Sequence, residues 1–119
     1  MIAVVDDEES VRSALVRVLS AGGFAARGFA TAREFLNSWQ LDRPSCLVLD
    51  LQLPDISGME VQIALKVAGA EFPIIVVTAQ DSSSVRKECL RQGATAYLSK
   101  PLDPRELLRA VALAISGSR

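Results

Sequence analysis

Residues 74–77, Ile-Ile-Val-Val, form an unbroken β-branched run with no polar residue in it. A strand of that composition must be covered on both faces. Ile2–Val5 and residues 46–49 read the same way. Residues 24–29 and 94–98 are weaker runs and are read as strands nearer the sheet edges. Segments with helical periodicity fill the gaps, so strands and helices alternate along the chain. That alternation calls for βαβ units and a parallel sheet.

The helical segments carry their own signals. Val11, Ala14, Leu15, Val18 and Leu19 share one helix face. Gly22 and Gly23 supply its stop. Thr31 and Glu34 form a capping box ahead of Phe35, Leu36 and Trp39, which share a face with Ala32. Residues 59–68 and 84–92 are helical with less sharp patterning. Asp103, Pro104 and Glu106 give N-cap, first-turn proline and third-position acid to a last helix, with Leu107, Leu108, Val111 and Ile115 inward. The expectation is an α/β fold, a flavodoxin-like (βα)5 with a five-stranded parallel sheet. Right-handed crossovers leave few arrangements, of which the order 2-1-3-4-5 is the usual one for five units. No linker, repeat or low-complexity tract divides the chain, so residues 1–119 are read as one domain.

Composition narrows the function classes. A chain of 119 residues that is 50% hydrophobic can bury a core. Thirteen basic and fourteen acidic residues leave a net charge of −1, so no basic excess supports direct nucleic-acid binding. The absence of histidine excludes Ser-His-Asp triads, His-ligated zinc and His general bases. Cys46 and Cys89 are too far apart for a redox pair and read as small hydrophobes in a reducing compartment. No stretch approaches the ~20 apolar residues of a membrane span. The acidic residues after Val5 are the opposite of a signal peptide's basic start. The expected location is the cytoplasm, with no membrane association.

In an open α/β sheet, ligands bind outside the carboxyl ends of the strands. Asp6 and Asp7 follow the first run, Asp50 the third, Thr78 the fourth, and Ser99 and Lys100 the fifth. Three carboxylates, a hydroxyl and an amine thus converge on one rim. Crowded carboxylates call for a cation, and an all-oxygen set suits Mg²⁺ at a site shared with phosphate. A carboxylate can itself be the nucleophile that forms an aspartyl phosphate. Taken singly, each residue has a simpler role. Asp6 or Asp7 would cap the first helix, Thr78 would sit in a turn, and Lys100 would be an exposed lysine. Glu8 and Glu9 are read as a solvated face. Four strand ends supplying the set together is what favours the site.

The residues then resemble a known family, the receiver domains of two-component response regulators. The matching elements are Val4-Val5-Asp6-Asp7-Glu8, Leu49-Asp50 through Ser57-Gly58, Val77-Thr78-Ala79 and Lys100-Pro101. The resemblance implies that Asp50 is the phosphoacceptor, with Thr78 and Lys100 contacting the phosphoryl group. It implies Mg²⁺ held by Asp7, Asp50 and the main-chain carbonyl of Gln52, with Asp6 acting through water. It implies a cis bond before Pro101 and an aromatic switch at Tyr97 that turns inward when Thr78 moves. Ala79 would leave room for a phosphoryl donor, and Gln52 and Gln80 would tune dephosphorylation. The implied partner is a sensor histidine kinase, with a homodimer on phosphorylation. The implied output is transcription through a DNA-binding domain absent from this chain, with features like receivers that precede LuxR-like domains. Such a chain is not an enzyme beyond its own phosphorylation and dephosphorylation.

Three other readings compete. A small Mg²⁺-dependent aspartate-nucleophile phosphatase would need Asp-x-Asp on one strand, whereas adjacent Asp6 and Asp7 are expected to point in different directions. A flavin-binding electron carrier would need a Ser/Thr/Gly loop where Asp6-Asp7-Glu8-Glu9 stands. A degenerate receiver would lack residues that are all present here.

Overall fold

The computed structural model describes residues 1–80 and 82–117. Among the described residues five strands alternate with five helices: β1 (Ile2–Val5), α1 (Glu9–Ala21), β2 (Ala26–Phe29), α2 (Ala32–Ser38), β3 (Cys46–Asp50), α3 (Gly58–Val67), β4 (Ile74–Thr78), α4 (Ser83–Arg91), β5 (Ala96–Ser99) and α5 (Pro104–Gly117). The sheet is parallel in the order β2-β1-β3-β4-β5, as expected.

The buried strands sort their side chains by parity. Ala3, Val5, Leu47, Leu49, Ile74 and Val76 face the side packed by α2, α3 and α4. Ile2, Val4, Cys46, Val48, Ile75 and Val77 face α1 and α5. Alternate side chains point to opposite faces, so a continuous apolar run serves two cores at once.

The outer strands start later than the sequence suggested, at Ala26 and Ala96. The cause is helix termination. Gly23 adopts φ +94° after α1, Gly23 N–H donates to Ser20 C=O and Phe24 N–H donates to Leu19 C=O. That is a Schellman ending, with Phe24 folded back onto the helix it follows. Gly93 at φ +103° ends α4 the same way, with Ala94 N–H bonded to Cys89 C=O.

Candidate functional site

Asp6 follows β1, Asp50 ends β3, Thr78 ends β4 and Lys100 follows β5. The first three close the same local turn. Asp6 Oδ1 accepts from Glu8 N–H, Asp50 Oδ1 from Gln52 N–H and Thr78 Oγ1 from Gln80 N–H, each at 3.0 Å. Short polar side chains reach the backbone two residues on, which is why they suit the abrupt end of a strand. The Gln52 N–H thus orients the Asp50 carboxylate.

Asp6, Asp7 and Asp50 each offer a carboxylate oxygen, and these atoms lie within 4.8 Å of one another. Asp6 and Asp50 are buried, while Asp7 is exposed. The expectation that adjacent Asp6 and Asp7 diverge is corrected here. Strand pairing stops at Val5, so the two-residue alternation of a strand no longer governs the next two side chains.

Lys100 is not the exposed lysine of the simpler reading. Its Nζ lies 3.0 Å from Asp6 Oδ2 and 3.3 Å from Asp50 Oδ2. Burial raises the Asp50 carboxyl above its ordinary value and the Asp6 charge adds to this, against the Gln52 N–H and the Lys100 charge. Burial alone would lower the Lys100 ammonium, but its bond to Asp6 and the charge of Asp50 outweigh burial and raise it. The ammonium bonds two of the three acids, Asp6 and Asp50. The ligands of the cluster are all hard oxygens, and that donor set fits Mg²⁺.

Thr78 is fully buried. Its oxygen accepts from Gln80 N–H, which leaves the hydroxyl proton to donate. Gln80 continues the chain, because its carbonyl accepts from Tyr97 Oη at 2.7 Å. Tyr97 is therefore already inward, 7% exposed, with the Arg86 guanidinium 5.8 Å from its ring centroid. The Lys100–Pro101 peptide is cis. Ala79, Lys100 and Pro101 stand at a cleft of about 570 Å³, walled by Val11, Ala14 and Leu15 of α1 and by Leu102. Glu8 and Glu9 are exposed, as expected of a solvated face.

Sequence reasoning did not assign two residues that shape the site. Asp55 on the β3–α3 loop accepts from the N–H groups of Ala32 and Arg33, so it caps α2 from another part of the chain. Arg12 donates from Nη1 to the Asp6 carbonyl at 2.9 Å. Neither has a local sequence signal, since both partners are set by tertiary packing. Gly58 stands eight residues after Asp50, where α3 begins. A Cβ there would stand 2.6 Å from the Asp50 carbonyl oxygen and 2.6 Å from Leu51 Cα.

Residues 2–112 match the response regulator receiver domain family. Response regulator MprA of Mycolicibacterium vanbaalenii is 43% identical over 107 residues, 90% of this chain and 46% of that protein. Nodulation protein W of Bradyrhizobium diazoefficiens is 36% identical over 119 residues, 100% of this chain and 52% of that protein. The chain thus spans about half the length of these curated relatives. A CheY-like receiver domain protein from Methanospirillum hungatei superposes with a TM-score of 0.91 at 27% identity, covering 98% of this chain and 94% of that one. The receiver domain of a LuxO-type repressor from Vibrio parahaemolyticus shares the fold at TM-score 0.94 and 24% identity, covering 98% and 90%.

Proposed function

Because the chain belongs to the response regulator receiver domain family, we propose that it is the phosphoacceptor switch of a two-component system, with Asp50 as the acceptor. The observation that carries this reading is the cluster of Asp6, Asp7 and Asp50 within 4.8 Å, bridged by the Lys100 ammonium.

A carboxylate oxygen of Asp50 attacks the phosphorus of a phosphohistidine on a sensor kinase. The new P–O bond forms as the P–N bond breaks, and the imidazole leaves as the kinase histidine. Asp6, Asp7, Asp50 and the Gln52 carbonyl are the groups that would hold Mg²⁺, which when bound supplies charge neutralisation for the phosphoryl oxygens. Lys100 turns its ammonium from the carboxylates to a phosphoryl oxygen, and Thr78 donates its hydroxyl proton to another. Positioning and neutralisation supply most of what this transfer needs. The chain acts on no substrate but itself.

The transmission route follows from the Thr78–Gln80–Tyr97 chain of hydrogen bonds. A shift of Thr78 toward the phosphoryl group pulls on the Gln80 backbone, and through its carbonyl on the Tyr97 hydroxyl. The α4-β5-α5 surface around Tyr97 is then the two-state element, read by a second copy of the chain or by a DNA-binding output that controls transcription. The two buried thiols suit a reducing cytoplasm, since burial pushes Cys46 up to about 12 and leaves it inert. Among the described residues no helix is long and apolar enough to cross a membrane.

Incubation with acetyl phosphate and Mg²⁺ tests this reading. One phosphoryl group, about 80 Da, adds to the chain on a carboxylate, and Asp50→Asn abolishes the gain. Repeated turnover of p-nitrophenyl phosphate would point instead to a phosphatase.

A further inference from the structure

The backbone of Asp6 is held on both sides, and its carbonyl side is the peptide that joins it to Asp7. The Asp6 N–H donates to the Phe29 carbonyl at 3.2 Å, and the Asp6 carbonyl accepts from Arg12 Nη1 at 2.9 Å. The Asp6 carboxylate has further anchors in Glu8 N–H and Lys100. Asp7 has none. Its side chain is exposed, and among the described residues no hydrogen bond or ion pair holds its carboxylate. Where Asp7 points is therefore decided by its backbone. The carbonyl that Arg12 holds belongs to the same planar unit as the Asp7 nitrogen, so rotating that plane swings the Asp7 Cβ.

The route taken by Arg12 is built into the fold. Its stem passes over β2 at Gly28, where a Cβ would stand 2.9 Å from Arg12 Cγ and 3.0 Å from Arg12 Cδ. Gly28 has no positive φ, so its backbone does not require glycine. A glycine inside a strand that is not needed for conformation marks a close approach, and here the approaching group is Arg12. The guanidinium spends its donor on a neutral carbonyl, so it fixes the loop without occupying a carboxylate oxygen.

We infer that Arg12, admitted by Gly28, is a positioning residue that locks the Asp6–Asp7 peptide plane and so aims the Asp7 carboxylate at the Asp6 and Asp50 oxygens. The inference rests on the reading of those acids as a divalent-cation site.

Calorimetric titration of the folded chain with Mg²⁺ tests it. Groups that orient a metal ligand from behind are worth roughly tenfold or more in affinity. Arg12→Ala weakens Mg²⁺ by about that factor, and Arg12→Lys, which keeps a donor, recovers part of it. Gly28→Ala weakens Mg²⁺ severalfold in the parent chain by pushing the Arg12 stem aside. In the Arg12→Ala background Gly28→Ala has no further effect, because no Cγ remains to displace. A general loss of packing would not give that dependence. Should Arg12→Ala fail to fold, Gly28→Ala and Arg12→Lys carry the comparison. Wild-type Mg²⁺ affinity in the Arg12 variants, or an equal effect of Gly28→Ala in both backgrounds, overturns the inference alone. A parent chain that binds no Mg²⁺ overturns the cation site and the inference with it.

Discussion

Lys100 Nζ lies 3.3 Å from Asp50 Oδ2, although fifty residues separate the two, and the same ammonium reaches Asp6 Oδ2 at 3.0 Å. One cation thus ties the ends of β1 and β3 together. Lys100→Ala leaves two buried carboxylates facing each other without it. A buried pair that loses one partner is costly because the other charge remains. The variant folds but loses about 1–3 kcal/mol at pH 7, measured by denaturant midpoint. Mg²⁺ returns part of the loss by binding only the folded form. The raised Lys100 value gives the sign. Its contribution is full below the unfolded value near 10.5 and is lost as pH rises through the folded one. An unchanged midpoint at pH 7 contradicts the bridging role.

Asp50 has the opposite sign. Its carboxyl is raised in the fold, so above its folded value the ionised group costs stability. Asp50→Asn keeps the shape and removes the charge. Without Mg²⁺ the variant melts higher at pH 7, by an amount on the order of 1 kcal/mol, typical of relief at a strained functional site. A lower melting temperature contradicts this.

Gly58 opens α3 against the end of β3, with its N–H donating to the Leu51 carbonyl at 2.9 Å. A methyl group there meets backbone, not a flexible side chain. Gly58→Ala costs about 1–3 kcal/mol, as overpacking does, and displaces the Asp50 carbonyl. Thermal denaturation shows the first effect. A lower phosphorylation rate with acetyl phosphate shows the second.

Asp55 holds the first turn of α2. Desolvation raises its carboxyl, but the N–H groups of Arg33, Ile56, Asp55 itself and Ala32 together outweigh that and lower it. A lowered carboxyl stabilises above its unfolded value and stops doing so as pH falls through the folded one. Asp55→Ala therefore melts below the parent at pH 7, and the gap closes as pH falls below 3.8. A gap that stays constant across that range contradicts the charged cap.

The elements that were legible in the sequence are those whose pattern is local. The run Ile-Ile-Val-Val and the capping box at Thr31 and Glu34 state their structure within a few residues, and Thr31 Oγ1 does accept from Glu34 N–H. Phe24 and Ala94 lie outside the strands, and their sequence misleads because a helix ending that folds back looks like an apolar run. Asp6, Asp7, Asp50 and Lys100 could be gathered on one rim because parallel strands put their carboxyl ends on the same side, and right-handed crossovers leave few strand orders. What could not be read was which carboxylate each N–H or ammonium would take. Asp55 reaching α2, Arg12 reaching the Asp6 carbonyl and Tyr97 lying inward on Gln80 all depend on loops whose course no periodicity records.

Borohydride trapping bears most directly on Asp50 as the acceptor. The chain is incubated with acetyl phosphate and Mg²⁺, reduced, digested and sequenced by mass spectrometry. An acyl phosphate is reduced to an alcohol, so a phosphorylated aspartate becomes homoserine. The account predicts homoserine at position 50 and at no other acid, and none without Mg²⁺. Homoserine at position 6 or 7, or an unmodified residue 50 in a chain that has gained phosphate, contradicts it.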